Sequence, residues 1–189
     1  MRFPFNERKA AQAAAYLLAR NNGRLNYMKL IKLLYLADRK ALLEHGKPIT
    51  GDRMVSMPKG PVLSGILTLI NWGQRREEPC IWLEYISPPR QYEVELADPN
   101  PKFDRLSERE RRILDQVFER YGRIDKWSLV EITHELPEWR DPRGSSIPID
   151  PADILRAEGF SEEAIRRVAH EAEQAVFMAK LEDLDLELE

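Results

Sequence analysis

Apolar residues recur every three or four positions along most of this chain, a spacing typical of helices that bury one face. Asparagine, aspartate and serine favour a helix start, whereas glycine or proline favours its end, so these residues divide the chain into segments. The helices predicted in this way cover residues 7–22, 26–45, 62–72, 107–121 and 125–136, and a long last helix follows Ser161. Its apolar stripe consists of Ile165, Val168, Ala169, Ala172, Ala175, Val176 and Ala179.

Two short segments, residues 81–86 and 92–96, lie between prolines, and this pattern predicts a two-stranded β excursion on the helical body. A further short strand is predicted at residues 54–57, within a loop over residues 50–61 that glycine and proline shape. The proline-rich segment 137–151 is predicted to be a surface loop. The predicted fold class is therefore mainly α, a single helical domain with a small two- or three-stranded β excursion.

The length of 189 residues and the 43% of hydrophobic residues fit one domain with its own core. We assign residues 1–180 to this domain and residues 181–189, which hold five acids, to an acidic C-terminal tail. Without those five acids the formal net charge of −3 becomes +2, so the body lacks the positive excess of a nucleic-acid binder. The tail alternates leucines with acids, which fits a strand added to a partner's sheet, acids presented to a basic partner, or a frayed terminus.

Sequence signatures of metal sites, cofactors and covalent catalysis are missing. Cys80 is the single cysteine, which excludes an intramolecular disulfide and a thiolate metal cluster. The three histidines lie on separate predicted helices without the spacing of a zinc motif. We therefore predict no catalytic residue, no metal and no cofactor. One enzyme alternative stays open, in which Asp38 and His134 share a cleft as a general acid–base pair.

The chain also lacks the signatures of export and membrane insertion. No stretch approaches the roughly 20 apolar residues that cross a bilayer, and the first residues lack the apolar run of a signal peptide. A single unpaired cysteine fits a reducing compartment. These features predict a cytoplasmic protein with no membrane partner.

The predicted helix over residues 26–45 has a charged side and an apolar side. At about 100° per residue, the charged side is expected to carry Lys29, Lys32, Arg39 and Lys40. Asp38 falls in the middle of the apolar side, where a carboxylate is costly unless it is paired or hydrogen-bonded. We expect Asp38 to be structural, with Arg53 or a backbone N–H of the following loop as its partner.

The helices predicted at 107–121 and 125–136 flank a short turn, as in a DNA-binding helix-turn-helix. Arg105 lies just before the first helix, and Arg109, Arg111 and Arg112 lie on it. The second helix lacks the arginine, asparagine or glutamine side chains that contact base edges, and Glu108 and Glu110 alternate with the arginines. A DNA-binding transcriptional regulator is therefore kept as the weaker alternative function.

Four segments and one tryptophan form a further pattern: residues 30–38 (LIKLLYLAD), 49–52 (ITGD), 57–62 (MPKGPV), 129–134 (LVEITH) and Trp139. In order and spacing this set resembles the Panacea antitoxin domain, also called SocA-like, of prokaryotes and phages. The resemblance implies a mainly helical domain that neutralises a cognate protein toxin encoded beside it, usually by direct contact. In one member the domain instead delivers its toxin to an ATP-dependent protease. Neither mode needs a catalytic residue.

The residues that match the family pattern are Tyr35, Asp38, Gly51, Gly60, Pro61, Thr133, His134 and Trp139. We expect Gly60 and Pro61 to shape the turn that starts the helix over 62–72, and Asp38 to hold that helix in place. Structural roles are also assigned to Tyr35, Gly51, Arg53 and Thr133. The candidate partner-binding residues are His134, Glu135, Trp139 and Lys59. The Trp139 ring either contacts a partner or packs back onto the body.

Overall fold

A computed structural model gives the fold of residues 1–75 and 79–186. Within these ranges the chain forms eight α-helices, one short 3-10 helix and five short strands. In chain order they are α1 (Glu7–Arg20), β1 (Arg24–Asn26), α2 (Tyr27–His45), β2 (Met54–Met57), β3 (Gly60–Leu63), α3 (Ser64–Trp72), the 3-10 helix (Gly73–Arg75), α4 (Ile81–Tyr85), β4 (Glu93–Glu95), α5 (Glu108–Tyr121), α6 (Lys126–His134), β5 (Ile147–Pro148), α7 (Pro151–Ala157) and α8 (Glu162–Leu186). The predicted fold class, mainly α with a small β part, is confirmed.

Helix α2 lies at the centre of the body, where it packs against α1, α5, α6, α7 and strand β3. Its residues Leu30, Leu33 and Leu34 are almost fully buried, and each contributes about 1.5–3 kcal/mol of stability through burial. Helix α1 supplies a fully buried face of small side chains: Ala10, Ala11, Ala13, Ala14 and Ala15. Alanine loses no side-chain entropy on helix formation, so this segment is both a good helix and a close-packing surface.

The local signals that predicted the helix ends act as expected. Asn26 accepts a hydrogen bond of 3.1 Å from a backbone N–H in the first turn of α2. Gly46 ends that helix in the left-handed conformation, with φ of +72°. Ser107 and Glu110 form the predicted capping box of α5, and Asp125 caps α6. These contacts span only a few residues, which is why the sequence reveals them.

The strand predicted over residues 81–86 is wrong, because Ile81–Tyr85 forms the short helix α4. Trp82 and Ile86 are four positions apart and both buried, which is the spacing of one helix face. The Glu7 carboxylate accepts a 3.0 Å hydrogen bond from the Trp82 backbone N–H at the start of α4. A residue far away in the sequence therefore holds the start of this helix.

The five strands of the described residues form two small sheets with antiparallel pairs. In one sheet, β4 pairs with β1, so the predicted strand over residues 92–96 exists but with another main partner. In the other, β2 lies between β3 and β5. The strand predicted at residues 54–57 is confirmed as β2. Gly60 and Pro61, predicted to start a helix, lie instead in strand β3.

Helix α3 begins at Ser64, and its first turn is held by Asp52 instead of Asp38. The Asp52 carboxylate accepts hydrogen bonds of 2.9 Å from the Gly65 backbone N–H and 2.8 Å from that of Ile66. Both N–H groups belong to the four that a helix start leaves unpaired. Asp52 lies 13 residues before Gly65, so no local capping pattern predicts this bond.

The segment 137–151, predicted to be a surface loop, contributes to the body. Glu138 is only 7% exposed. Residues Ile147–Pro148 add the edge strand β5 to β2. Asp150 then caps α7, whose Ile154 and Leu155 are fully buried. This seven-residue helix was too short to show a helical period in the sequence.

Helix α8 includes part of the predicted C-terminal tail. Residues 181–186 are helical instead of extended, and residues 187–189 lie outside the described residues. Of the predicted apolar stripe, Ile165 and Ala172 are buried, whereas Ala175 is exposed. The first turns of α8 therefore pack on the body as predicted, and the later turns depart from it.

Candidate partner-binding site

The hairpin of β2 and β3 packs against the end of α6 at Gly60. Gly60 has φ of +86°, a left-handed conformation that glycine adopts freely. A Cβ atom here would lie 2.6 Å from Thr133 Oγ1, 2.7 Å from Lys32 Nζ and 3.3 Å from His134 Cδ2. The absence of a side chain at Gly60 therefore lets groups from α2 and α6 meet beneath the hairpin.

Lys32 is fully buried in this cluster, although the helical pattern predicts it on the charged side of α2. Its Nζ donates a 2.6 Å hydrogen bond to the Pro61 carbonyl in β3. Burial lowers the pKa of Lys32 to about 7, because a surrounding of low dielectric disfavours the charged form. The prediction for Lys32 is wrong, since the hairpin covers a position that the helix alone would leave in water.

His134 and Trp139 stack on each other beside the hairpin. Their ring centroids are 4.0 Å apart and their planes differ by 20°. The Trp139 indole N–H donates a 3.1 Å hydrogen bond to the Met57 carbonyl in β2. Of the two predicted arrangements of Trp139, the structure shows the ring packed back onto the body, half-buried. The stacked pair thus fixes the hairpin to the end of α6.

Thr133 lies fully buried next to this pair. Its hydroxyl donates a 2.9 Å hydrogen bond to the Leu129 carbonyl within α6. The neighbouring His134 Nε2 atom is also buried, with no hydrogen-bond partner among the described residues. Leaving a polar atom unpaired costs about 1–3 kcal/mol, so the stacking on Trp139 must help to hold this ring.

The outer face of the same region carries Trp127, which is 53% exposed. Lys59, at the hairpin tip, and Lys126 each place Nζ 5.5 Å from the centre of the Trp127 ring. That distance is within the range of cation–π attraction. Glu131 and Glu135 continue the exposed face of α6. We call Lys59, Lys126, Trp127, Glu131 and Glu135 the hairpin–α6 surface.

The predicted partner-binding residues divide between this surface and the layer beneath it. Lys59 and Glu135 lie on the hairpin–α6 surface, whereas His134 and Trp139 support it from below. The sequence pattern does not single out Trp127. The signal that could have found it is its angular position, since at about 100° per residue Trp127 lies about 160° from Leu129 and about 120° from Thr133, which are both fully buried.

A buried network fixes the segment before Trp139 to α2. The Tyr35 hydroxyl donates a 2.7 Å hydrogen bond to Glu138 Oε1, and Arg39 Nε donates one of 2.8 Å to the same oxygen. Arg39 Nη2 donates a hydrogen bond to Glu158 Oε1 and a longer one to Glu138 Oε2. Burial opposes the charge on Arg39, but the two carboxylates outweigh it and raise its pKa. Burial and the Glu138 carboxylate raise the pKa of Tyr35. Tyr35 thus belongs to the buried network that joins α2 to the segment before Trp139.

Asp38 is fully buried and holds the loop after α2. Its carboxylate accepts 3.0 Å hydrogen bonds from the backbone N–H groups of Ile49 and Thr50, and one from the Thr50 hydroxyl. Burial raises the pKa of Asp38 to about 7, against the opposing effect of the hydrogen bonds from Thr50. Arg53, the other predicted partner, is exposed. The backbone partner is therefore confirmed, and a carboxylate bonded in this way is not open to a substrate.

The loop that Asp38 holds passes beneath the N-terminal segment at Gly51. Gly51 has φ of +71°, and a Cβ atom there would lie 2.0 Å from the Pro4 carbonyl oxygen. The Asn6 backbone N–H donates a 3.1 Å hydrogen bond to the Thr50 carbonyl beside it. A side chain at Gly51 would therefore require the N-terminal segment to move.

The helix pair α5 and α6, considered above for DNA binding, presents mixed charge. Arg109 and Arg112 are exposed on α5. Glu131 and Glu135 are exposed on α6, the helix that would have to enter a DNA groove. Carboxylates on that face repel phosphates and offer no donor to the DNA backbone. The arrangement therefore weighs further against the DNA-binding alternative.

Comparison with known families decides what this fold is related to. Residues 30–140, more than half of the chain, match the model of the antitoxin SocA-like Panacea domain. The chain belongs to this family. The matched residues contain most of α2, the β2–β3 hairpin and α6, and thus the whole hairpin–α6 surface. No curated protein and no solved structure matched the chain. Membership in the Panacea family supports a toxin–antitoxin role in general.

Within residues 1–75 and 79–186, no group of three or more histidine, cysteine, aspartate or glutamate residues is placed to hold a metal ion. In the same part of the chain, no helix has both the length and the apolar character needed to cross a membrane.

Proposed function

We propose that this chain is an antitoxin that neutralises a co-encoded protein toxin by binding it directly, without a catalysed step. Membership in the Panacea family supports the toxin–antitoxin role. The observation that carries direct binding is the exposed Trp127 with two lysine ammonium groups within cation–π distance of its ring. The hairpin–α6 surface is therefore the proposed toxin contact.

An exposed tryptophan is well suited to the centre of a protein interface. Tryptophan is enriched among the residues that contribute most to binding, because its rigid ring buries a large area with little loss of side-chain entropy. Leu129 and Thr133, on the other side of α6, are fully buried and hold the helix on the body. The backbone that carries Trp127 is thus fixed before the partner arrives, which reduces the entropy lost on binding.

The residues matched by the family pattern support this surface from beneath. Gly60 lets the hairpin approach α6, and the bond from Trp139 to Met57 keeps the hairpin there. Lys59 at the hairpin tip consequently stays beside Trp127. The complementary toxin surface has an apolar pocket for the ring and acidic groups facing the lysines.

A growth assay tests the antitoxin function. The reading frames beside this chain's gene are induced alone and then together with this chain. We expect growth arrest from one of them alone and normal growth on co-expression, with the two proteins purifying as a complex. Neighbouring frames that are expressed but harmless would contradict the antitoxin function.

The same assay tests the contact surface through two tryptophan variants. Trp127→Ala is expected to lose rescue, while Trp72→Ala, which removes an equally exposed tryptophan (53%) from α3, is expected to keep it. The two variants are compared at equal levels of soluble protein. Full rescue by Trp127→Ala would show that the toxin binds elsewhere.

Delivery of the toxin to an ATP-dependent protease differs from direct blocking in one measurable respect. Under direct blocking, the half-life of the toxin in growing cells stays the same or lengthens when this chain is present. Under delivery the half-life shortens, and rescue disappears in a strain without the protease. We expect the first result.

A further inference from the structure

The C-terminal half of α8 carries large apolar side chains in solvent. Ala172 is buried, whereas Phe177, Met178 and Leu181 are 62%, 55% and 40% exposed. The helix continues from Ala172 to Leu186, about 20 Å at 1.5 Å per residue. From residue 173 to residue 181 every side chain is exposed or only half-buried. This part of α8 therefore extends past the core.

The exposed apolar residues lie on the side of α8 that faces away from the body. At about 100° per residue, Phe177 and Leu181 lie within about 40° of each other around the helix, and Met178 lies beside them. Ile165 and Ala172, which are buried, lie on the opposite side of the helix. We call Phe177, Met178 and Leu181 the α8 stripe. Contiguous apolar side chains kept in solvent commonly mark a surface that a partner covers.

The sequence that contains and follows the α8 stripe is strongly acidic. Residues 171–189 contain seven acids and one base, Lys180. The last turn of α8 has no basic residue, although the helix dipole favours one there. Two copies of this chain pairing through α8 would bring two such negative helices together, which like-charge repulsion opposes. A cationic partner relieves both the repulsion among the acids and their conflict with the dipole.

We propose that the α8 stripe docks on a basic surface of the toxin that has an apolar centre. This second contact rests on the proposed function, since its occupant is the same toxin that the hairpin–α6 surface binds. Two contacts carried by one folded chain reinforce each other, because the second forms at a high effective concentration once the first has formed. The acids provide complementarity to the toxin, and the stripe provides the buried area.

Titration calorimetry with the purified toxin and full-length variants tests this proposal. The double variant Phe177→Ser, Leu181→Ser is expected to bind about tenfold more weakly, as for loss of apolar contacts at an interface. Its matched control, Phe177→Met with Leu181→Met, keeps the apolar character and is expected to bind like the wild type. Both side chains are exposed, so both variants should melt at the wild-type temperature.

The charge component is tested by salt. Binding by the wild type is expected to weaken as the NaCl concentration rises, and the double variant Glu171→Gln, Glu173→Gln is expected to show a smaller dependence. A salt response that is the same in wild type and variant would contradict the proposed charge complementarity.

The outcomes separate this proposal from the proposed function. If the serine variant binds like the wild type while Trp127→Ala binds weakly, the α8 contact is overturned and the antitoxin function stands. If the wild type binds no toxin, both are contradicted. If size-exclusion chromatography shows a wild-type dimer that the serine variant converts to a monomer, the stripe pairs with a second copy and the toxin contact is overturned.

Discussion

Replacement of Lys32 by methionine is expected to stabilise the protein at neutral pH. The Lys32 side chain is fully buried beneath the hairpin, and burial lowers its pKa from 10.5 to about 7. Methionine has a similar length and no charge to desolvate, so it fits the site without the free-energy cost of burying an amine. The variant also removes the donor to the Pro61 carbonyl.

The size of the effect follows from the pKa difference. The pKa falls from 10.5 to about 7 on folding, and each pKa unit corresponds to 1.36 kcal/mol. Burying Lys32, which is protonated in the unfolded chain, therefore lowers the free energy of unfolding by about 5 kcal/mol at neutral pH. The lost hydrogen bond leaves the Pro61 carbonyl unpaired and costs about 1–3 kcal/mol. The free energy of unfolding of Lys32→Met at pH 7 should therefore exceed that of the wild type by roughly 2–4 kcal/mol.

The sign of the pH dependence is fixed by linkage. Between pH 7 and 10.5 the unfolded wild type binds a proton at Lys32 that the folded protein has released, so wild-type stability rises with pH in this window. The advantage of Lys32→Met should shrink by about 1.4 kcal/mol per pH unit. Urea unfolding of both proteins at pH 7, 8 and 9 measures this change, with Lys40→Met as the control for losing a partly exposed lysine from the same helix. If the free energies of unfolding of wild type and Lys32→Met differ by the same amount from pH 7 to pH 9, the reasoning is refuted, because Lys32 would then keep its charge when folded.

Three further predictions concern the support of the candidate site and the DNA-binding alternative. Asp38→Ala should lower the free energy of unfolding in urea by about 3 kcal/mol, because two loop N–H groups lose their acceptor; an unchanged melting temperature with lost toxin binding would contradict the structural role. Gly60→Ala should cost about 2 kcal/mol more than Gly144→Ala, since both positions have positive φ but only Gly60 lacks space for a Cβ; equal losses would show that the hairpin adjusts freely. The double variant Arg109→Ala, Arg112→Ala should retain DNA at low salt to the same extent as the wild type. If the wild type instead forms a DNA complex that depends steeply on salt and the variant loses it, the DNA-binding transcriptional regulator is favoured.

The sequence predicted the parts of the fold that depend on near neighbours. The caps at Asn26 and Ser107 and the end of α2 at Gly46 follow from contacts within one helical turn, so they could be recognised from residue type and spacing. Asp38 was also recognised, because a single carboxylate on an apolar helix face requires a donor.

Contacts between distant parts of the chain account for the errors. Ile81–Tyr85 is helical because Glu7 holds its start, and α3 is held by Asp52 from the other side of the hairpin. Neither bond leaves a local signature. The burial of Lys32 was missed for the same reason, since the helical pattern of α2 contains no information about the hairpin that covers this side chain.

The candidate site was predicted in part for the same reason. The family pattern emphasises residues beneath the hairpin–α6 surface, such as Gly60 and His134, whose surroundings are fixed by the fold. Trp127 emerged only when the buried face of α6 was known. An exposed side chain carries no periodic signal of its own, so interface residues are harder to predict from one sequence than core residues.

The affinity of the purified chain for the purified toxin tests the central claim most directly. Titration calorimetry compares the wild type with Trp127→Ala and with Trp72→Ala, its equally exposed control. We predict a saturable complex for the wild type and Trp72→Ala, and binding at least about tenfold weaker for Trp127→Ala. All three proteins should melt within about 2 °C of one another, since exposed substitutions change stability little. Equal affinity for Trp127→Ala, or no complex with any of the three, would contradict neutralisation through direct contact at the hairpin–α6 surface.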